Sequence, residues 1–109
     1  MNEELLKIDT IRGYLEKKKV DWTKHCLNRL SQRNISIADV KNAIKNGRII
    51  EYYKNDYPYP SCLILGISIN SRLLHIVCGM SHNLLHMITA YYPDSNEWEE
   101  DMKTRRKKE

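Results

Sequence analysis

The spacing of apolar positions changes once along this chain, from a helical period to an alternating one. Leu5, Ile8, Ile11, Tyr14 and Leu15 recur at helical spacing. They predict an amphipathic helix over NEELLKIDTIRGYLEKKK, slightly weakened by Gly13. VDW then breaks the pattern. Thr23 is placed to cap a second helix whose apolar face is Cys26, Leu27 and Leu30. RNIS forms a tight link, and Ser36 with Asp39 makes a capping-box start for a third helix carrying Ile37, Val40, Ala43 and Ile44. Asn46-Gly47 ends it, with Gly47 suited to the left-handed position after a helix.

Beyond Gly47 the period is two. RIIEYY (48–53) reads as a strand, KNDYPYP as a loop because prolines interrupt a ladder, and SCLILGISI as the next strand. Asn70-Ser71 reads as a two-residue hairpin turn into RLLHIVCGM, and SHN as a turn into LLHMITAYY. Short turns force antiparallel neighbours. Pro93 stops the sheet, and Asp94 with Glu97 reads as the start of a terminal helix whose acids come first and bases last. The expectation is one α+β domain over residues 1–109: N-terminal helices, the first within residues 1–20, packed on a four-stranded antiparallel sheet, then a short C-terminal helix.

Composition changes this picture little. The chain is 41% hydrophobic and 29% charged, as expected of a folded domain rather than a disordered one. Net charge is +4, and KKK at Lys17–Lys19 with KTRRKK at Lys103–Lys108 hold eight of the 18 basic residues. These clusters fit solvated helix ends and fit phosphate tracking equally well. Three cysteines without a C-x-x-C pair indicate buried free thiols, neither a disulfide framework nor a zinc site. The acidic N-terminus does not read as a signal peptide, and no apolar run approaches a membrane span, so a cytoplasmic location is expected. No metal or cofactor motif appears, neither a Gly-rich phosphate loop nor H-E-x-x-H.

One helical stripe stands out. On the second helix, with His25 set at zero, Arg29 falls at about 40° and Arg33 at about 80°, while the apolar group centres at about 150°. The stripe is thus expected at the boundary of the buried face. His25 lies near the helix N-terminus, whose free N–H groups bind phosphate, and Arg29 one turn on could hold a phosphate with its fork. A base and a phosphate clamp would then sit on adjacent turns. A plain solvated helix flank accounts for the same residues.

The stretches HCLNRLSQRNISIADVKNAIKNGRIIEYYKNDYPYPSCLILG and LHIVCGMSHNLLHMITAYYPDSNEWEEDMKTRR resemble an uncharacterised family of small bacterial proteins, a domain of unknown function. The resemblance covers residues 23–106. His25, Arg29 and Arg33 match its helix motif; Asp56, Tyr59, Pro60, Ser61 and Cys62 its loop-strand motif; His75 its third strand; Thr89, Tyr91, Tyr92 and Asp94 its last strand. In layout the family is similar to RelE-like ribonuclease toxins and their barnase-like relatives, and its members are often encoded beside a small zinc-finger antitoxin.

The resemblance implies the toxin of a type II toxin–antitoxin pair, acting as a metal-independent ribonuclease, with RNA and a cognate antitoxin as partners. His25 would serve as base or acid, Arg29 would stabilise the phosphorane, and Tyr91 would position substrate or donate a proton. Arg33, Tyr59, Arg105 and Arg106 would bind substrate, Tyr59 by stacking a base. Glu51 is a spare base or only a solvated strand residue. His75 fits a sheet face better than a reaction centre, Ser61 and Cys62 lack an activating partner in sequence, and His82 and His86 receive no role. The alternative is a non-catalytic RNA- or protein-binding module.

Overall fold

The computed structural model describes residues 6–107; the expected start of the first helix, residues 2–5, lies outside them. Three helices and five strands occur among the described residues. Helix α1 is Ile8–Glu16, α2 is Lys24–Gln32 and α3 is Ile37–Asn46. The starts of α2 and α3 follow from short polar side chains. Thr23 Oγ1 accepts the Cys26 N–H at 3.0 Å, one of the donors a helix start leaves unpaired. Ser36 and Asp39 exchange side-chain and backbone bonds at 2.9 Å each, a full capping box.

The backbone N–H of Ser36 is the main cause that holds the Asp39 carboxyl below its usual range, with Ile69 N–H adding to it against burial. Gly47 does not take the expected left-handed conformation: its φ is −96° and ψ −171°, extended backbone that any residue adopts. Glycine is needed there for space, since a Cβ would lie 2.5 Å from the Leu65 carbonyl oxygen and closer still to that of Ala43.

The strands are β1 Val20–Trp22, β2 Arg48–Tyr53, β3 Ser61–Ile67, β4 Leu73–Met80 and β5 Leu85–Tyr91. They form one sheet in the order β1-β5-β4-β3-β2, with β1 parallel to β5 and the other pairs antiparallel. The expected four-stranded antiparallel sheet is thus a five-stranded mixed one. VDW carries no readable period at three residues, and its partner Leu85–Met87 is far along the chain. The β3–β4 turn is also one residue longer than expected. Ser68 N–H donates to Arg72 O at 2.8 Å, enclosing Ile69, Asn70 and a left-handed Ser71 with φ 64°.

The expected C-terminal helix does not form. Residues 94–106 make a strap of turns closed by an isolated bridge between Trp98 and Arg105. Asp94 starts a single turn, with Trp98 N–H donating to its carbonyl at 3.1 Å, and Asp101 then takes donors that a continuing helix would use. Asp94 accepts the Asn96 N–H at 2.9 Å, and Asp101 accepts those of Lys103 and Thr104, each at 2.9 Å.

The sheet has two unlike faces. Its helix-covered face carries Cys62, Ile64, Leu74, Ile76, Cys78, Met80, Leu85, Met87 and Ala90, packed with Ile11, Leu30, Val40 and Ile44 in one core. The opposite face follows from the register as three cross-strand rows: Glu51, Leu63, Val77, Thr89; Arg48, Leu65, His75, Tyr91; and Tyr53, Ser61, Gly79, His86, Asp21. Carboxylates, imidazoles, phenols and hydroxyls dominate these rows, and the strap lies across part of them.

Candidate functional site

The α2 stripe is graded. Cys26 and Leu30 are the buried positions of α2, whereas Leu27, expected on the apolar face, is 39% exposed. The buried direction therefore lies at about 120° from His25 instead of about 150°. That shift tucks Arg33 under and leaves His25 and Arg29 in water. Among the described residues, no hydrogen bond, ion pair or ring contact engages the side chain of either. Arg33 is half-buried, and its guanidinium donates to Thr89 Oγ1 at 3.0 Å and to Ala90 O at 2.8 Å. It reaches β5 past the end of the β1 pairing, where that strand is otherwise an open edge.

Tyr91 follows directly on Ala90, on the other face. Burial raises its phenol above the ordinary range; Arg105 and Arg33 oppose this, while Glu51 and Glu97 add to it. Tyr91 therefore keeps its proton at neutral pH. Arg33 is the physical link between the α2 stripe and this phenol, for no contact joins His25 or Arg29 to Tyr91 among the described residues.

Around Tyr91 lies a polar cluster that sequence reasoning did not assemble. Its ring meets His75 edge-on, centroids 5.4 Å apart, and His75 meets Trp98 at 4.6 Å and 86°. His75 is fully buried, with Nε2 2.6 Å from Met102 O. A carbonyl only accepts, so Nε2 carries the proton and the neutral ring turns a bare lone pair at Nδ1 inward, where it has no partner among the described residues. Arg105 grips Glu51 with both arms at 2.9 and 3.0 Å, and Tyr53 donates to Glu51 at 2.6 Å. Burial works to raise the Glu51 carboxyl, but these bonds to Arg105 and Tyr53 outweigh it and hold it low. Burial and the same carboxylate push the Tyr53 phenol up to about 12.

The pH dependence of folding follows from His75. Burial lowers its pKa below the ordinary value of about 6.5, with the Met102 carbonyl and Glu51 opposing. Below about pH 6.5 the unfolded chain therefore binds a proton that the folded chain refuses, so stability falls as pH falls. The contribution is complete above that pH and lost through the folded-state pKa. Urea titrations between pH 7.5 and 5 should show this acid slope, and His75→Leu should flatten it. An unchanged slope in the variant would assign the loss to other groups.

The remaining expected substrate contacts have internal partners. Arg105 also lies over the Trp98 ring, 4.5 Å from its centroid. Arg106 donates to Glu99 at 3.0 Å and to Ser95 O at 2.6 Å. Tyr59 has one ring face stacked on His86 at 4.2 Å. In the same loop Tyr57 is 94% exposed and presents both ring faces to solvent. Ser61 donates to Asp56 and is fully buried. Cys26, Cys62 and Cys78 are buried free thiols. Among the described residues, no three His, Cys, Asp or Glu side chains are grouped to hold a metal ion, and no helix is long and apolar enough to cross a membrane.

Fold and site together define an α+β domain with a helix-covered apolar sheet face, a titratable opposite face, and an arginine linking the two at the β5 edge. Residues 22–92, from the end of β1 through β5, match the model of the family described as Domain of unknown function (DUF4258), and the chain belongs to that family. No curated protein and no solved structure matches the chain.

Proposed function

We propose that this protein is a metal-independent endoribonuclease and the toxin of a toxin–antitoxin pair. The observation that carries the reading is the seating of Arg33 on Thr89 and Ala90 beside the protonated Tyr91. Arg33 is the half-buried end of the stripe whose other members, His25 and Arg29, are exposed and without side-chain partners among the described residues. The 2′-hydroxyl of RNA would lose its proton to His25 and attack the adjacent phosphorus. Arg29 would neutralise the phosphorane, and Tyr91 would protonate the leaving 5′-oxygen, giving a 2′,3′-cyclic phosphate. Tyr57 offers a stacking surface for a base. Helices on one face of an antiparallel meander are also the layout of RelE-like and barnase-like ribonucleases, and the cognate antitoxin would cover the basic stripe.

Purified protein in EDTA should cut single-stranded RNA to cyclic-phosphate ends. His25→Ala should reduce cutting by about 10²-fold or more, with the circular dichroism spectrum unchanged. A second reading, RNA binding without cleavage, draws on the absence of direct contact between His25 and Tyr91 among the described residues. Salt-dependent retention of RNA with intact ends would favour it and end the catalytic proposal.

A further inference from the structure

We propose that Asp21, His86 and Ser81 form a separate catalytic centre, with Ser81 as nucleophile toward small carboxylic esters. The three residues come from β1, β5 and the β4–β5 turn. His86 Nδ1 is 3.2 Å from Asp21 Oδ2, and His86 Nε2 is 2.8 Å from Ser81 Oγ. An ionised carboxylate only accepts, so in the neutral ring Nδ1 carries the proton and Nε2 is left to accept from the serine hydroxyl. That is the tautomer a serine nucleophile needs: base within hydrogen-bond reach, and base oriented by a third group. The competing acceptor for the hydroxyl, Leu84 O, is farther away at 3.3 Å.

The surroundings hold this geometry and leave it open. Tyr59 stacks on the imidazole at 4.2 Å and 12°, fixing its plane. Gly79 makes room for that ring, since a Cβ there would lie 2.6 Å from Tyr59. The His86 side chain is 14% and that of Asp21 42% exposed. The turn after Ser81 has exposed His82 and Asn83, whose backbone N–H groups have no partner among the described residues. Such donors are what a developing oxyanion requires. Ser61 is the contrast: it is buried and bonds directly to the Asp56 carboxylate, with no imidazole to take and pass on its proton.

In the reaction, Ser81 Oγ attacks the ester carbonyl carbon and its proton passes to His86 Nε2. The tetrahedral species collapses, the carbon–alkoxide bond breaks, and the departing alkoxide takes that proton as alcohol. Water, deprotonated by the same nitrogen, then releases the acid and restores the hydroxyl. Asp21 acts through His86 and is a positioning residue.

The full chain should react with a fluorophosphonate probe, with peptide mapping placing the adduct on Ser81. It should hydrolyse p-nitrophenyl acetate with an initial burst. Ser81→Ala should abolish both, and His86→Gln should slow labelling by about 10²-fold or more. Asp21→Asn should lower kcat with KM unchanged, and its partial exposure makes it the variant to use if His86→Gln does not fold. Folded protein with no adduct on Ser81, or labelling that ignores both His86→Gln and Asp21→Asn, would overturn the proposal and leave these residues as a tie between β1 and the β4–β5 turn. Neither readout involves RNA, so the result stands apart from the ribonuclease reading.

Discussion

Gly66→Ala is expected to leave the protein largely unfolded at 37 °C. Gly66 lies on β3 where α3 crosses it. A Cβ there would lie 2.6 Å from the Ala43 carbonyl carbon, 2.8 Å from its Cα and closer still to its oxygen. All three atoms are backbone, so no rotamer change relieves the clash; α3 must lift from the sheet. Ala43 and its neighbour Ile44 are both fully buried, and lifting them reopens the core. Overpacking against flexible side chains costs about 1–3 kcal/mol, and against backbone about 4 kcal/mol or more. Domains of this size have only about 5–15 kcal/mol in total. The melting temperature followed by circular dichroism should fall by about 15 °C or more. Gly13→Ala is the control: nothing lies within 4 Å of its added Cβ, in the middle of α1. It should gain about 0.5–1 kcal/mol. If Gly66→Ala costs less than about 1 kcal/mol, α3 is not seated on β3 as described.

Trp98→Ala should have the second largest effect, and it should be felt at His75. The indole is 3% exposed and packs edge-on against the buried imidazole. It also faces the Arg105 guanidinium, and its backbone forms the strap's bridge to Arg105. Truncation removes the largest apolar group holding the strap to the sheet, a loss of about 3–5 kcal/mol. Water then reaches His75, and desolvation, the main cause of its lowered pKa, weakens. The His75 titration followed by NMR should move up toward about 6.5, and diethylpyrocarbonate should modify a ring that it spares in the wild type. A destabilised variant whose His75 titrates as before would show that burial under Trp98 is not what sets that pKa.

The N-caps of α2 and α3, the three-helix order and the β2-to-β5 meander were legible because each is written locally, whereas the left-handed cap expected at Gly47 did not form. Thr23 and Ser36 cap as their residue types and spacing require, and RIIEYY is the full extent of β2. What failed was non-local or competed for. β1 is three residues whose strand character comes entirely from Leu85–Met87. The terminal segment has helical charge order and Asp94 caps one turn, but Asp101 turns the backbone aside, and Trp98 is worth more buried on the sheet than exposed on a helix.

The site was half legible for the same reason. His25, Arg29 and Arg33 lie along one helix and its C-cap, so periodicity groups them; the angle of the buried face was misjudged, as exposed Leu27 shows, and only Arg33 sits at the boundary expected for all three. His75 was rightly placed in a sheet face, yet its cluster with Glu51, Tyr53 and Arg105 depends on register and on the strap. Asp21 and His86 are 65 residues apart, and nothing local joins them. Alternation puts His86 on the face away from Leu85 and Met87, a signal the sequence reading gave no role.

The parallel pairing of β1 with β5 also sets a timetable for biosynthesis. Val20 waits for Leu85, and a ribosome adding about 5–20 residues each second needs several seconds to supply it. The meander closes through short turns and assembles quickly once made, so the N-terminal third docks last. A nascent chain stalled before Leu85 would hold Ile11, Cys26 and Leu30 without β5 and its Leu85, Met87 and Ala90 to complete their core, an apolar surface open to chaperones or to other stalled copies.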